Sequence, residues 1–268
     1  MTSNLAGIPF VKANGCGNDF LVIESAHAPK DIASFTIAIC NRHTGVGADG
    51  VEWVEQGSGN YDVSARLINN DGSEAEISGN GTRCVAAYWF AEHGGERVRV
   101  RTGAGIKSCN LLSKSERVFR MEMNMGVPDV GEKLSLSLSA FSVDGMNISL
   151  GNPHFVSLVS DFHLKWQELG AKVQSQPIFT RGTNVEFVRV LGPQEIESRF
   201  FERGVGETQS SGTGSCASAV AAIASGLVKS PVNVVAAGGA QQVRWDGVRC
   251  EVFLTGPAEL ICKGEFFI

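Results

Sequence analysis

Gly17-Asn18-Asp19-Phe20-Leu21-Val22, near the start of the chain, and Gly151-Asn152-Pro153-His154-Phe155-Val156, past its middle, carry one pattern set 134 positions apart (151 − 17). Outward from that pair the match continues. Gly50-Val51-Glu52-Trp53-Val54 lies over Asn184-Val185-Glu186-Phe187-Val188 at the same offset. Residues 63–68 lie over 196–201 at 133 (196 − 63), with Glu74 over Glu207, and Ser78-Gly79-Asn80-Gly81 falls on Ser211-Gly212-Thr213-Gly214 at that step. Val98-Arg99-Val100 then meets Val232-Asn233-Val234, and Gly126-Val127-Pro128 meets Gly256-Pro257 after a short loop difference. Any one match is within the reach of chance between Gly-rich turns, but a series in register is not. Solenoid repeats run roughly 20–50 residues, so so long a period marks duplication of a whole domain.

Inside each copy, short runs alternate apolar and polar residues, as in Val118-Phe119-Arg120-Met121-Glu122-Met123-Asn124-Met125, the signature of half-buried strands. The exceptions follow Gly81 and Gly214. Residues 84–90 and 216–223 are apolar on all sides and are closed by Gly94 and Gly226, so they are expected to be buried helices. The expected fold class is α/β, of the α+β kind. It has two pseudo-symmetric domains, each a mixed or antiparallel sheet rolled around one central buried helix. Residues 1–126 form the first domain and 127–259 the second, with 260–268 a candidate to return to the first.

A chain of 268 residues, 43% of them hydrophobic, has material for two cores. Its net charge of −5 leaves no basic patch or arm for nucleic acid or an anionic membrane surface, which makes a small molecule the expected partner. Seven cysteines, at 16, 40, 84, 109, 216, 250 and 262, form an odd set without CxxC spacing. They read as reduced thiols of a cytoplasmic protein, without a disulfide framework or a metal site. No segment has the length and apolarity of a membrane span, and the first twenty residues lack a signal-peptide core.

The two S-G-x-G signatures place a serine and two glycines at the entrance of each buried helix. Free backbone N–H groups and the positive end of the helix dipole gather there, so each start can hold a carboxylate. A single S-G-x-G is more often a plain N-cap. Duplication alters that balance, because a pseudo-twofold axis is expected to bring both starts to the domain interface, where their fields would stabilise developing negative charge.

At this point the motifs, taken together, resemble the diaminopimelate epimerase family over almost the whole chain. They are Asn18 in GNDF, the run 42–50 (RHTGVGADG), 69–74 (NNDGSE), 78–84 (SGNGTRC), 151–154 (GNPH), 183–187 (TNVEF) and 202–208 (ERGVGET). The resemblance implies a cofactor-free, metal-free interconversion of LL- and meso-diaminopimelate. One cysteine thiolate would remove the α-proton and an opposing thiol would return one, both at the entrances of the buried helices. By the same resemblance, Asn69, Asn152, Asn184 and Arg203 hold the distal carboxylate and amino group, while the backbone around Gly79, Asn80, Gly212 and Thr213 holds the reacting carboxylate. Asn18 lines the pocket, and His154 and Glu202 stand near the reacting centre. A homodimer is a further implication. The chemistry agrees: an Arg fork suits a carboxylate, and Asn amides satisfy ammonium and carboxylate together.

The chain departs from the family where the chemistry is sharpest. Ser78 and Ser211 occupy the positions of the cysteine pair. A thiol ionises near 8.5 and an alcohol resembles water at about 15.7, a gap on the order of 10 kcal/mol. Cys84 and Cys216 lie more than a turn inside their helices and are expected to be core residues. Asn14 stands where the family usually has histidine, and Gly50 takes a pocket-facing position that is larger and polar in some relatives. Three readings stay open: a matched substitution made to trap substrate, a natural serine branch acting slowly or on another amino acid, and a scaffold that binds without catalysis. Histidine and hydroxyproline racemases and phenazine-type isomerases are the rival activities. Keeping Asn69, Asn152, Asn184 and Arg203 together favours a substrate with two amino-acid ends.

Overall fold

The alternation at 118–125 does become a strand, with Phe119, Met121, Met123 and Met125 buried and Val118 and Arg120 exposed between them. The fold is taken from a computed structural model, which describes residues 7–138 and 141–267; residues 1–6, at the head of the segment read for a leader, lie outside it. The chain divides into unit 1, residues 1–123 with 257–268, and unit 2, residues 124–256.

Unit 1 contains β1 (Gly7–Gly15), β2 (Asn18–Glu24), α1 (Ile32–Cys40), β3 (Gly50–Gln56), β4 (Val63–Asn69), β5 (Glu74–Ala75), α2 (Gly79–His93), β6 (Arg97–Thr102) and β7 (Gly105–Ser115), and the chain leaves it within β8 (Val118–Gly126). Unit 2 continues with β9 (Asp129–Leu138), β10 (Phe141–Ser149), β11 (Pro153–Leu158), α3 (Trp166–Gln174), β12 (Asn184–Gly192), β13 (Glu195–Glu202), β14 (Gly206–Thr208), α4 (Gly212–Ala224), β15 (Val232–Ala236) and β16 (Gly239–Trp245). The chain returns to unit 1 within β17 (Val252–Phe267).

The same connection scheme is used in both units. β2 and β3 pair in parallel, as do β11 and β12, so each pair needs a crossover, supplied by α1 and by α3. The parallel pairs β4/β6 and β13/β15 are bridged by α2 and α4. In unit 1 the pairings run β1, β2, β3, β4, β6, β7, β8, β17 and back to β1, a ring of strands around α2. In unit 2 the run is β9, β10, β11, β12, β13, β15, β16, β17, with α4 packed on β10, β11, β12, β13, β15 and β16.

The mixed α/β class and the central buried helices agree with the sequence, but each unit holds a second helix that the alternation did not reveal. α1 covers the face of β3 that carries Val51 and Trp53, with Phe35 tilted against Trp53 at 5.8 Å between ring centres. α3 covers the corresponding face of β12, with Trp166 at 6.3 Å from Phe187. Such buried side chains contribute roughly 1.5–3 kcal/mol each. The central helices begin at Gly79 and Gly212, directly after the two serines, which adopt extended backbone and act as N-caps. α2 ends on Gly94, which has φ +73, whereas α4 ends on Ser225 with Gly226 at φ +72 one residue later. Cys84 and Cys216 are fully buried in these helices, and burial pushes the Cys84 thiol far up. Among the described residues no helix is long and apolar enough to cross a membrane.

Candidate active site

Ser78 closes the start of α2 by accepting the Gly81 N–H on Oγ at 3.0 Å, and Ser211 does the same at α4 with Gly214 at 3.1 Å. Each hydroxyl therefore sits at the positive end of a helix whose first residues are buried, from Gly79 to Gly81 and from Gly212 to Gly214. The N–H groups of such a first turn have no carbonyl partner within the helix and favour an anion.

In unit 1 the Asn18 side chain bridges Asp49 and Asn80: it donates to the Asp49 carboxylate and receives Nδ2 of Asn80 at 3.5 Å on its own Oδ1. Arg83, fully buried, holds the Asn80 oxygen at 2.7 Å and thereby fixes which way that amide points. The structure thus brings Asn18, Gly79 and Asn80 together with Ser78. Asn69 is placed differently, since its amide donates to Ser73 Oγ at 3.0 Å within the turn after β4.

Unit 2 repeats the Asn18–Asn80 contact with Asn152, whose Nδ2 donates to Thr213 Oγ1 at 3.2 Å. Asn152 Oδ1 lies 3.1 Å from His154 Nε2, and His154 Nδ1 lies 2.7 Å from Glu186 Oε1. Asn184 donates to the Pro153 carbonyl at 3.0 Å and accepts the Arg203 N–H at 2.9 Å, tying the heads of β11 and β12 to the turn after β13. The exposed Arg203 guanidinium donates to the Arg181 carbonyl at 2.9 Å. Glu202 reaches Ser211. Burial pushes its carboxyl up, the Ser211 hydroxyl draws it back, and the neighbouring Glu186 pushes it up again.

Two residues absent from the sequence-based site belong at these helix starts. Glu52 on β3 and Glu186 on β12 are fully buried on the sheet faces opposite α1 and α3. The space a side chain at Gly81 would fill is taken by the Glu52 carboxyl, and Ser78 Cβ also lies 3.2 Å from it. At Gly214 the same space meets Glu186 Oε1 at 2.9 Å, Ser211 Cβ at 2.9 Å and the Phe200 ring at 2.8 Å. Glycine is therefore required at both positions to let a carboxyl group approach the helix. Desolvation pushes Glu52 up to about 8, and burial raises Glu186 as well, with His154 pulling the other way. The signal for both was present in the repeat: a glutamate in the same place in two otherwise apolar strands.

Chemically, each start offers helix N–H groups for a carboxylate, a hydroxyl at the cap and a nearby carboxyl group able to hold or release a proton. Among the described residues no cluster of three or more His, Cys, Asp and Glu side chains is arranged to hold a metal ion.

A crystal structure of a hydroxyproline epimerase from Agrobacterium vitis, with trans-4-hydroxy-L-proline bound, matches this chain at TM-score 0.75 and 14% identity, over 97% of this chain and 91% of that one. The fold is that of the amino-acid epimerases and racemases. Sequence narrows it further. A model of the diaminopimelate epimerase family matches residues 10–130 and 146–261. Diaminopimelate epimerases of Pelotomaculum thermopropionicum and Microcystis aeruginosa are 38% and 35% identical, covering 96% and 97% of this chain and 98% and 99% of their own. The chain belongs to the diaminopimelate epimerase family.

Proposed function

We propose that the protein binds diaminopimelate and interconverts its LL and meso forms without a cofactor, at a rate limited by serine at both proton-transfer positions. Inversion at a carbon needs an acceptor for one proton and a donor for another, and the reading assigns these tasks to positions 78 and 211. The reacting carboxylate is given to the N–H groups around Gly79, Asn80, Gly212 and Thr213. Asn18, Asn69, Asn152, Asn184 and Arg203 are given to the rest of the ligand, and His154 and Glu202 to the surroundings of the reacting carbon. A homodimer and a cytoplasmic setting belong to the same reading, and none of the seven cysteines, all among the described residues, is in a disulfide.

The observation that carries the reading is the matched pair of serine-capped, glycine-lined helix starts, each backed by a buried glutamate, in a chain that belongs to this family over nearly its full length. Alcohols are poor proton acceptors beside thiols, so turnover is expected to be slow while ligand affinity is kept. Incubating the protein with LL-diaminopimelate in D2O and following the α-carbon by NMR tests this. Slow deuterium entry accompanied by meso product is expected. Binding without exchange would make the protein a binder alone, and affinity only for histidine or hydroxyproline would overturn the substrate.

A further inference from the structure

Glu186 backs the start of α4, and it also anchors a continuous chain of hydrogen bonds. Asn152 commits its amide nitrogen to Thr213 Oγ1 at 3.2 Å, which leaves Oδ1 to face His154 Nε2 at 3.1 Å. An amide oxygen only accepts, so Nε2 carries the hydrogen. Nδ1, the other ring nitrogen, then meets Glu186 Oε1 at 2.7 Å with a single proton between them. Both side chains are fully buried, and Glu186 Oε2 has no hydrogen-bond partner. A buried carboxylate with one bare oxygen costs far more than a buried neutral acid in the same place, which puts the shared proton on the glutamate. The titratable group facing this pair is Glu202, whose carboxyl is pushed up chiefly by burial and drawn back by the Ser211 hydroxyl.

We propose that Glu186 is a positioning residue: as a neutral acid it donates to His154 Nδ1, locks the imidazole in the Nε2–H tautomer, and so holds Asn152 against Thr213 at the second position of α4. The consequence for ligand affinity rests on the reading that His154 and Asn152 serve the substrate. The tautomer does not.

The test uses the full chain labelled with 15N-histidine, with the His154 signals assigned by their loss in H154Q. Long-range 1H–15N spectra are expected to show the His154 hydrogen on Nε2 and none on Nδ1. Glu186→Gln keeps a neutral donor facing Nδ1, so the tautomer should persist and affinity for LL-diaminopimelate by calorimetry should stay within about twofold. Glu186→Leu removes the donor; His154 should then lose its fixed tautomer, and affinity should fall about tenfold. An imidazolium or an Nδ1–H tautomer in the unmodified chain overturns the proposal, as does a Gln variant that behaves like the Leu variant. Absence of diaminopimelate binding by the unmodified chain would instead sink the functional reading, while the nitrogen spectra still decide the tautomer.

Discussion

Replacing Ser78 and Ser211 together with cysteine is expected to raise the rate of LL-to-meso conversion by on the order of 10³-fold or more. The thiol lies about 7 pK units below the alcohol, on the order of 10 kcal/mol in the cost of forming the base, and a well-placed acid or base contributes roughly 10²–10⁴ in rate. The helix starts that would favour a thiolate are already formed, each with its cap hydrogen bond and buried first turn. Losing a serine cap costs about 1 kcal/mol per helix, which a chain with two cores tolerates. The single variants should gain little in conversion, because inversion uses both positions and groups acting as a unit are not additive. Each single variant should instead exchange the α-hydrogen with solvent faster than it inverts the carbon. Chiral chromatography of product beside deuterium content separates the two. Equal gains in exchange and inversion from one cysteine alone would contradict the two-position assignment.

The second large effect is on stability and comes from Glu52. Burial holds its carboxyl at about 8 in the folded protein, against 4.5 for the unhindered group. Between those pH values the unfolded chain has released the proton and the folded chain keeps it. Stability is therefore highest below about 4.5 with respect to this group, falls as pH rises to about 8, and is level beyond. The full gap corresponds to about 5 kcal/mol, and the field of the α2 start, which favours the carboxylate, offsets on the order of 1–2 kcal/mol of it. A loss of about 3 kcal/mol between pH 5 and 8.5 is expected in urea unfolding. Glu52→Gln keeps the shape and removes the titration, so its stability should be nearly flat across that range and exceed that of the unmodified chain at pH 8.5. Parallel pH curves for the two proteins would show that Glu52 is ionised in the fold.

The duplicated architecture was legible because the matched stretches lie where sterics leave little choice: glycines at helix starts that carry no side chain, and strand cores whose alternation marks their faces. α1 was not, since Ile-Ala-Ser-Phe-Thr-Ile-Ala-Ile-Cys is rich in β-branched residues and passes for another strand. Its marker is Asp31, which caps the helix by accepting the Ser34 N–H at 3.0 Å. α3 had a readable stripe, Trp166, Gly170 and Val173, at helical spacing. Glu52 and Glu186 escaped for a different reason. A charged residue in a strand is ordinarily assigned to the solvent face, and only the fold reveals that these two point at the glycines of the helix starts. The contact of Asn18 with Asn80, mirrored by Asn152 with Thr213, was equally invisible in sequence, because one member of the second pair is a threonine.

The claim beneath the rest is that the helix start of each unit grips the ligand through its α-carboxylate. Aspartate is as good an N-cap as serine, so Ser78→Asp and Ser211→Asp should each keep their helix while placing a negative charge where the carboxylate is expected. Calorimetry with LL-diaminopimelate should find affinity reduced more than about tenfold by either substitution alone, with thermal stability retained. Affinity unchanged by either one would remove that helix start from the site and contradict the account.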